Sequence, residues 1–230
     1  MDNKDRNSEA FNRIIEVMKR LRSECPWDSV QTWDSIRPNT IEEVYELVDA
    51  IANRNMSEVK KELGDVLFHV IFYSHIAQEE GKFDIADVCN AVADKLIFRH
   101  PKIFGGKDCA DNEETWEQMK RREKGGNKTT LSGVPAALPS LIKAYRMQEK
   151  ALSMGYKQED AGDVVSDLAA GISSVQSLPE SEKSDKMGDL LFRMIKLCKL
   201  LKVNPEVALE KRNIQFRSEF EEYEKELKSK

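Results

Sequence analysis

The sequence predicts an all-α protein built from two related helical modules in tandem. Outside the turns, apolar residues recur three and four positions apart almost throughout, as in Ile14, Val17 and Leu21, and this spacing is typical of amphipathic helices. Segments that alternate as strands do are scarce. The segment GDVLF at 64–68 also recurs as GDLLF at 188–192, and each copy opens a strongly apolar helix. Such an internal repeat indicates two copies of one structural unit.

Proline, glycine and short polar segments predict where the helices end. Breaks are expected at 38–40, 53–57, 81, 100–106 and 179–184. The first break predicts a helix that begins after Thr40. Glycine and polar residues at 125–130, followed by Pro135 and Pro139, are typical of a linker. We therefore expect one module at 1–124, a linker at 125–139 and a second module at 140–230. Each module alone would expose an apolar face, so we expect the two to pack on each other or on a second chain.

Composition excludes several classes of protein. The net charge of −5 over 230 residues argues against a protein that binds nucleic acid through a basic surface. The longest apolar stretch, at 66–77, is shorter than the ~20 residues that cross a bilayer, and the polar N-terminus is unlike a signal peptide. The four cysteines form no CxxC pair, which argues against a zinc site or a disulfide framework. We expect a cytoplasmic protein.

Five carboxylates form the candidate site. Glu42, Glu43 and Glu46 lie within about 100° of arc on one helix, because steps of one and four residues turn ~100° and ~40°. Apolar residues cover much of the rest of that helix, so the acidic stripe is expected to border a buried face. On the next helix Glu62 and Asp65 are three residues apart and share a face. Two antiparallel helices could point the two groups at each other.

The simplest alternative is that these are ordinary solvated helix charges, with Thr40 and Glu43 forming a capping box. Against it, the acids lack the cation that usually stands four residues away; only Asp65 has one at that spacing, Lys61. A cluster of carboxylates without His or Cys favours Mg²⁺, Mn²⁺ or Ca²⁺ over zinc or copper. The Glu-x-x-His pairs of di-iron bundles and the EF-hand loop are both missing. Such a site suits the cleavage of phosphoanhydrides.

The ordered motifs resemble those of the MazG nucleotide pyrophosphohydrolases. They are CPWD at 25–28, EExxE at 42–46 and ExxD at 62–65, followed by GKFD at 81–84, DKLxxRHP at 94–101 and GVPxxLPxL at 133–141. The resemblance covers nearly the whole chain. It implies an all-α, usually dimeric enzyme that hydrolyses a nucleoside triphosphate to the monophosphate and pyrophosphate, with Mg²⁺ or Mn²⁺ as cofactor.

The resemblance also implies roles for individual residues. Glu43, Glu46, Glu62 and Asp65 would hold the metal, and Glu42 would serve as a ligand, as a support for the ligands or as a base. One or two Mg²⁺ ions would bridge these acids to the triphosphate. Further residues would bind substrate. Lys95 and Arg99, four residues apart, would meet the phosphates, or would simply be solvated. The WxxxK element would place Trp116 on the base and Lys120 near phosphate, unless Trp116 is a core residue.

The second module departs from this pattern. The positions of the acidic stripe appear as Ala170, Gly171 and Ser174, and ExxD becomes Lys186-x-x-Asp189. Gln215 and Glu219 stand where the first module has its two cations. This half lacks the residues of a metal site, so it is predicted to be structural or dimerising. The N-terminal module is then the only candidate for catalysis.

Two other functions remain open from the sequence. One is a narrower pyrophosphatase of the same helical class, acting on dUTP, dCTP or a phosphoribosyl nucleotide. The other is a regulator or adaptor that binds nucleotide without hydrolysing it. A panel of substrates would distinguish the narrower pyrophosphatase from a general one. Binding of nucleotide without release of phosphate would indicate the regulator.

Overall fold

The chain folds as two compact units, Met1–Asn112 and Glu113–Lys230, in a computed structural model that describes residues 3–105 and 129–228. Every regular element in those two ranges is an α-helix or a short 3₁₀ turn, which confirms the predicted all-α class. None of the helices in the described ranges combines the length and the apolar character that crossing a bilayer requires.

The first unit contains five α-helices within its described residues: α1 (Asn3–Glu24), α2 (Trp33–Ala52), α3 (Met56–Glu79), α4 (Ile85–Arg99) and the short α5 (Pro101–Phe104). A 3₁₀ turn, Asp28–Val30, connects α1 to α2. Side chains cap three of the helices. Thr32 and Ser35 form a reciprocal box at α2, Asn55 accepts from the amide of Glu58 at α3, and Asp84 and Asp87 form a second box at α4.

The predicted helix start after Thr40 is wrong. Helix α2 begins eight residues earlier, at Trp33, and continues through Pro38. A proline in a helix removes one backbone hydrogen bond and usually kinks or ends the helix. Here Ile36, only 2% exposed, anchors the preceding turn in the core. Burial of Ile36 in the core thus offsets the tendency of Pro38 to end the helix. The breaks predicted at 53–57 and 81 do separate helices, whereas the predicted break at 100–106 contains the short helix α5.

The core of the first unit lies between α1, the start of α2 and the second half of α3. Met18, Ile36, Ile71, Phe72 and Ile76 are its buried members, with Trp33 and Tyr73 packed against them. Trp33 stacks on Tyr73 with ring centroids 5.4 Å apart. Trp27, which precedes the 3₁₀ turn, is 55% exposed.

The second unit contains four α-helices within 129–228: α6 (Ser140–Leu152), α7 (Ala161–Val175), α8 (Glu180–Leu200) and α9 (Pro205–Lys228). A 3₁₀ turn, Thr130–Gly133, precedes them. The segment predicted to break at 179–184 is helical from Glu180 onwards, because Pro179 ends the preceding turn and takes the N-cap position. The breaks at 153–160 and 201–204 were not predicted.

Apolar contacts and ion pairs hold the second unit together. Val164, Leu168 and Ile195 are buried, and the side-chain amide of Gln148 donates to the carbonyl of Phe192 at 2.7 Å. Glu159, in the turn before α7, forms ion pairs with Arg193 and Lys196 on α8. These contacts fix α7 and α8 as a packed pair, the counterpart of the α2–α3 pair in the first unit.

Candidate active site

Three carboxylates from two helices meet in the first unit. Glu43 on α2 and Glu62 and Asp65 on α3 each offer an oxygen, and these atoms all lie within 4.8 Å of one another. The helices bring them together because α2 and α3, joined by only three residues, pack along each other. The sequence prediction that the two acidic groups face each other is confirmed for these three residues.

Glu62 is the most buried member of the cluster, at 3% exposure. Its Oε1 accepts a 2.8 Å hydrogen bond from the ammonium of Lys61, whereas its Oε2 is buried and has no hydrogen-bond partner among the described residues. Lys61 also lies 3.9 Å from Asp65. The cluster is therefore less free of cations than the i,i+4 spacing predicts, since Lys61 contacts an adjacent residue as well as the one four positions away.

Burial and repulsion from like charges act on Glu43. Desolvation is the largest cause that raises the pKa of its carboxyl, and the charges of Asp65, Glu46 and Glu62 add to it. Lys61 opposes these effects. The charge of Glu46 thus helps to raise the pKa of Glu43, although Glu46 is not one of the three residues whose oxygens meet within 4.8 Å.

The cluster has the chemistry of a site for a hard divalent cation. All three donors are carboxylates, the ligands that Mg²⁺, Mn²⁺ and Ca²⁺ prefer. A buried carboxylate oxygen without a partner is unfavourable, and the unpartnered Oε2 of Glu62 is such an atom. A bound cation would satisfy that oxygen and offset the repulsion on Glu43. The residues present thus fit a divalent ion.

A cleft adjoins the cluster and shares Glu62 with it. Its volume is about 660 Å³ and its lining includes Glu42 and Glu46, so the structure places both of these predicted residues at the cleft. Asp49 and Glu58 line it as well, and the sequence prediction missed them. The signal was present, since Asp49 is three residues after Glu46 and Glu58 is four before Glu62, which places each one turn further along the same helix face.

The structure rules out one alternative for the acidic stripe and contradicts one expectation about it. Thr40 does not cap a helix, because it lies in the interior of α2, so capping cannot account for Glu43. The apolar residues beside the stripe are not buried within the unit either. They are about half exposed: Ile41, Val44, Tyr45, Val48 and Ile51.

The predicted substrate-binding residues are only partly described. Lys95 and Arg99 both lie on α4, partly buried and one turn apart, and neither is among the residues that line the cleft. Trp116 and Lys120 lie outside the described residues.

Comparison with known proteins shows which of them have a similar sequence. Residues 31–104 match the model of the MazG nucleotide pyrophosphohydrolase domain. The nucleoside triphosphate pyrophosphohydrolase of Escherichia coli K12 is 38% identical over 229 residues, which cover 94% of this chain and 87% of that protein. The nucleoside triphosphate pyrophosphohydrolase/pyrophosphatase MazG of Thermotoga maritima is 37% identical over 218 residues, covering 93% of this chain and 85% of that protein. The chain belongs to the MazG family. This confirms the resemblance found in the sequence.

The matched MazG domain contains α2, α3 and α4 of the first unit, and with them all five predicted acids. The second unit of this MazG protein has a related cleft of about 480 Å³ between α7 and α8. It is lined by the residues identified as counterparts of the acids, together with three neighbours: Asp167, Ala170, Gly171, Ser174, Lys186, Asp189, Leu190 and Arg193. The repeat therefore places equivalent positions together in both units.

Gly171, at the position of Glu43, shows why the second cleft differs from the first. A Cβ atom on Gly171 would lie 2.6 Å from Cδ2 of Leu190 and 3.6 Å from the ammonium of Lys186. Leu190 thus fills the space that a side chain at this position would need, and a lysine takes the place of a ligand. Of the five positions, only Asp189 keeps a carboxylate.

Proposed function

We propose that this protein hydrolyses nucleoside triphosphates to nucleoside monophosphates and pyrophosphate in the α2–α3 site of its first unit. The observation that supports this most strongly is the meeting of Glu43, Glu62 and Asp65 within 4.8 Å, together with a buried Glu62 oxygen that has no partner among the described residues. Membership of the MazG family agrees with the proposal, as does the similarity to two nucleoside triphosphate pyrophosphohydrolases.

In this proposal Glu43, Glu62 and Asp65 hold a divalent cation, Mg²⁺ or in its place Mn²⁺, with Glu46 as a further ligand. The cation would neutralise the triphosphate, which the acids would otherwise repel, and would stabilise the charge that develops on the leaving pyrophosphate. Glu42 lines the cleft and faces its space. We assign it to orient the attacking water or to accept its proton.

Four residues are proposed to bind the rest of the substrate. Lys95 and Arg99 lie four residues apart and share one face of α4. Two cations must lie on the same side of the helix if they are to bind one phosphate group together. Trp116 is assigned to the base and Lys120 to the phosphates, on the family resemblance of the WxxxK element alone. Changing each residue to Ala and measuring KM separately from kcat would test these four assignments.

The second unit is proposed to be structural. Ala170, Gly171 and Ser174 offer no carboxylate, and Lys186 brings a positive charge to the cleft that it lines. In this proposal 1–124 is the catalytic module, 125–139 is the linker and 140–230 is the degenerate module. This proposal predicts one working site in each chain.

A homodimer is proposed from the exposed apolar residues of the α2–α3 pair. Large contiguous apolar patches on a soluble protein usually mark an interaction surface. The exposed apolar side chains of the pair are Ile41, Val44, Tyr45, Val48 and Ile51 of α2 and Leu63, Leu67 and Val70 of α3. A second copy of the chain would present the same apolar helices, so each surface could cover the other. Light scattering or sedimentation of the intact protein would test the oligomeric state.

The cytoplasm is proposed as the compartment. Cys25, Cys89 and Cys198 are free thiols in the described residues, as is usual where the environment is reducing. Fractionation of the producing cells would test this location.

The decisive experiment compares Asp65→Asn with Asp189→Asn, which make the same chemical change at equivalent positions of the two units. Pyrophosphate and monophosphate release would be measured from a panel of NTPs and dNTPs with Mg²⁺. Asp65→Asn should lower kcat/KM by ~100-fold or more, because it removes a ligand charge from the cation. Asp189→Asn should leave turnover within about twofold of wild type, within the range of a surface substitution. Chelation of divalent ions by EDTA should abolish the activity.

Several outcomes would contradict the proposal. Normal turnover in Asp65→Asn would rule out the assigned site. A complete loss of hydrolysis in a folded Asp189→Asn variant would show that the second unit takes part in catalysis. Activity confined to one pyrimidine deoxynucleotide or to a phosphoribosyl nucleotide would indicate the narrower enzyme. Nucleotide binding without release of pyrophosphate would indicate a regulator.

A further inference from the structure

A three-way hydrogen bond connects α2 and α3 close to the carboxylate cluster. The hydroxyl of Thr40 contacts Nδ1 of His69 at 2.7 Å, the hydroxyl of Tyr73 at 2.8 Å and the carbonyl of Ile36 at 3.2 Å. A hydroxyl has one donor and two acceptor sites, so these three contacts can use all of them. Both α3 partners thus meet at one oxygen atom of α2.

This contact lies one helical turn from the cluster on each helix. Thr40 precedes Glu43 by three residues on α2, and His69 follows Asp65 by four residues on α3. Spacings of three and four residues place side chains on the same helix face, about 4.5 and 6 Å apart along the axis. The two helices are consecutive and connected by three residues, so they run antiparallel and the two offsets point in the same direction. The contact therefore sets the distance and register of the helices beside Glu43 and Asp65.

The partners of Thr40 are themselves held in place. His69 is 9% exposed, and the ring of Tyr73 is stacked on Trp33. The indole nitrogen of Trp33 in turn donates to Glu80 at 2.9 Å. On the α2 side, Pro38 removes one backbone hydrogen bond from the turn that leads into Thr40. The Thr40 contacts fall where α2 has lost part of its own backbone support.

We propose that Thr40, through His69 and Tyr73, is a positioning residue that holds Glu43 and Asp65 at the separation a divalent cation requires. The inference rests on the proposed function, because it concerns the same site. A bond that merely stabilised the fold would change the melting temperature and leave the affinity of the folded site for metal unaltered. A positioning bond changes that affinity in the folded protein.

The test compares Thr40→Val, which removes the hydroxyl and keeps the branched shape, with Thr40→Ser, which keeps the hydroxyl. Binding of Mn²⁺ to the full-length protein would be measured by electron paramagnetic resonance, well below the melting temperature of every variant. Thr40→Val should weaken Mn²⁺ binding by ~10-fold or more, the scale on which residues that support metal ligands act. Thr40→Ser should bind within about twofold of wild type. Tyr73→Phe, which keeps the stacked ring, should fall between them.

Ile71→Val is the matched control for stability, because Ile71 is a 2% exposed core residue on the same helix. It should lower the melting temperature and leave Mn²⁺ binding unchanged. Wild-type affinity in folded Thr40→Val would overturn the inference, as would an equal loss of affinity in Ile71→Val. A wild-type protein that binds no Mn²⁺ would overturn it too. A wild-type protein that binds Mn²⁺ but releases no pyrophosphate would instead refute the proposed function and leave the positioning result standing.

Discussion

The ammonium of Lys61 lies 2.8 Å from Oε1 of Glu62, and the other oxygen of the same carboxylate is buried without a partner in the part of the chain that the structure describes. Within 3–105 and 129–228, only one of the two Glu62 oxygens is therefore hydrogen-bonded. Lys61 supplies one positive charge from the solvent side, since its own side chain is 58% exposed. The second oxygen has no such source, and a divalent cation would supply one. One oxygen of Glu62 would then be neutralised by Lys61 and the other by the cation.

Lys61→Met should lower the melting temperature of the protein without metal, because the buried carboxylate of Glu62 loses its only charged partner in the described residues. The difference from wild type should shrink in saturating Mg²⁺, since the cation then offsets the charge of Glu62. Differential scanning calorimetry with EDTA and with Mg²⁺ measures both conditions. Lys60→Met, at the exposed neighbouring position, is the control and should change little. An equal difference in both conditions would contradict the prediction.

Acid should weaken the contact between α1 and α3. Arg22 donates two hydrogen bonds to Glu79 at 2.6 and 3.1 Å, and this bonding is the largest cause that lowers the pKa of Glu79 below its ordinary 4.5. A carboxyl whose pKa is lower in the folded state stabilises the protein above the unfolded pKa. That contribution is lost as the pH falls from about 4.5 through the folded value.

Glu79→Gln should therefore reduce the dependence of urea-unfolding free energy on pH below about 5. Glu24→Gln is the control, because the Arg20–Glu24 pair is largely exposed and solvent screens such pairs. The slope of stability against pH should change less for Glu24→Gln than for Glu79→Gln. Equal slopes for the two variants, or an unchanged slope for Glu79→Gln, would show that the Arg22–Glu79 pair contributes little.

Gly171→Ala should destabilise the second unit. The added Cβ would lie 2.6 Å from Cδ2 of Leu190. Overpacking of this kind costs about 1–3 kcal/mol, and the higher helix propensity of alanine offsets only about 0.5–1 kcal/mol of that cost. Gly188→Ala is the matched control, because Gly188 is also in a helix and no atom of the described residues lies within 4 Å of its Cβ position. There alanine should stabilise by about 0.5–1 kcal/mol through its higher helix propensity.

Both glycine variants should hydrolyse nucleotides as wild type does below their melting temperatures, if the first unit is catalytic. Calorimetry would measure stability, and release of pyrophosphate would measure activity. Two alanine substitutions with the same effect on stability would contradict the close approach of Leu190 to Gly171. A loss of activity confined to Gly171→Ala would indicate that the second unit contributes to the site.

The sequence by itself determined the fold class, the repeat and the acids of the candidate site. The three-and-four spacing of apolar residues is a local property of each segment, and it is sufficient to predict helices. The carboxylates could be found because Mg²⁺ chemistry restricts the donor type and because their spacing places them on common helix faces. The asymmetry between the units was equally visible, since Ala170, Gly171 and Ser174 carry no charge.

Only the tertiary structure decided where α2 begins and which acids meet. Burial of Ile36 allows α2 to pass through Pro38, and no local pattern measures that burial. The separation of Glu43 from Glu62 and Asp65 depends on how far each helix is rotated about its own axis, which core packing and the Thr40 contacts fix. Asp49 and Glu58 join the cleft for the same reason. Periodicity predicts the face on which a side chain lies, whereas the packing of one helix on another determines what that face meets.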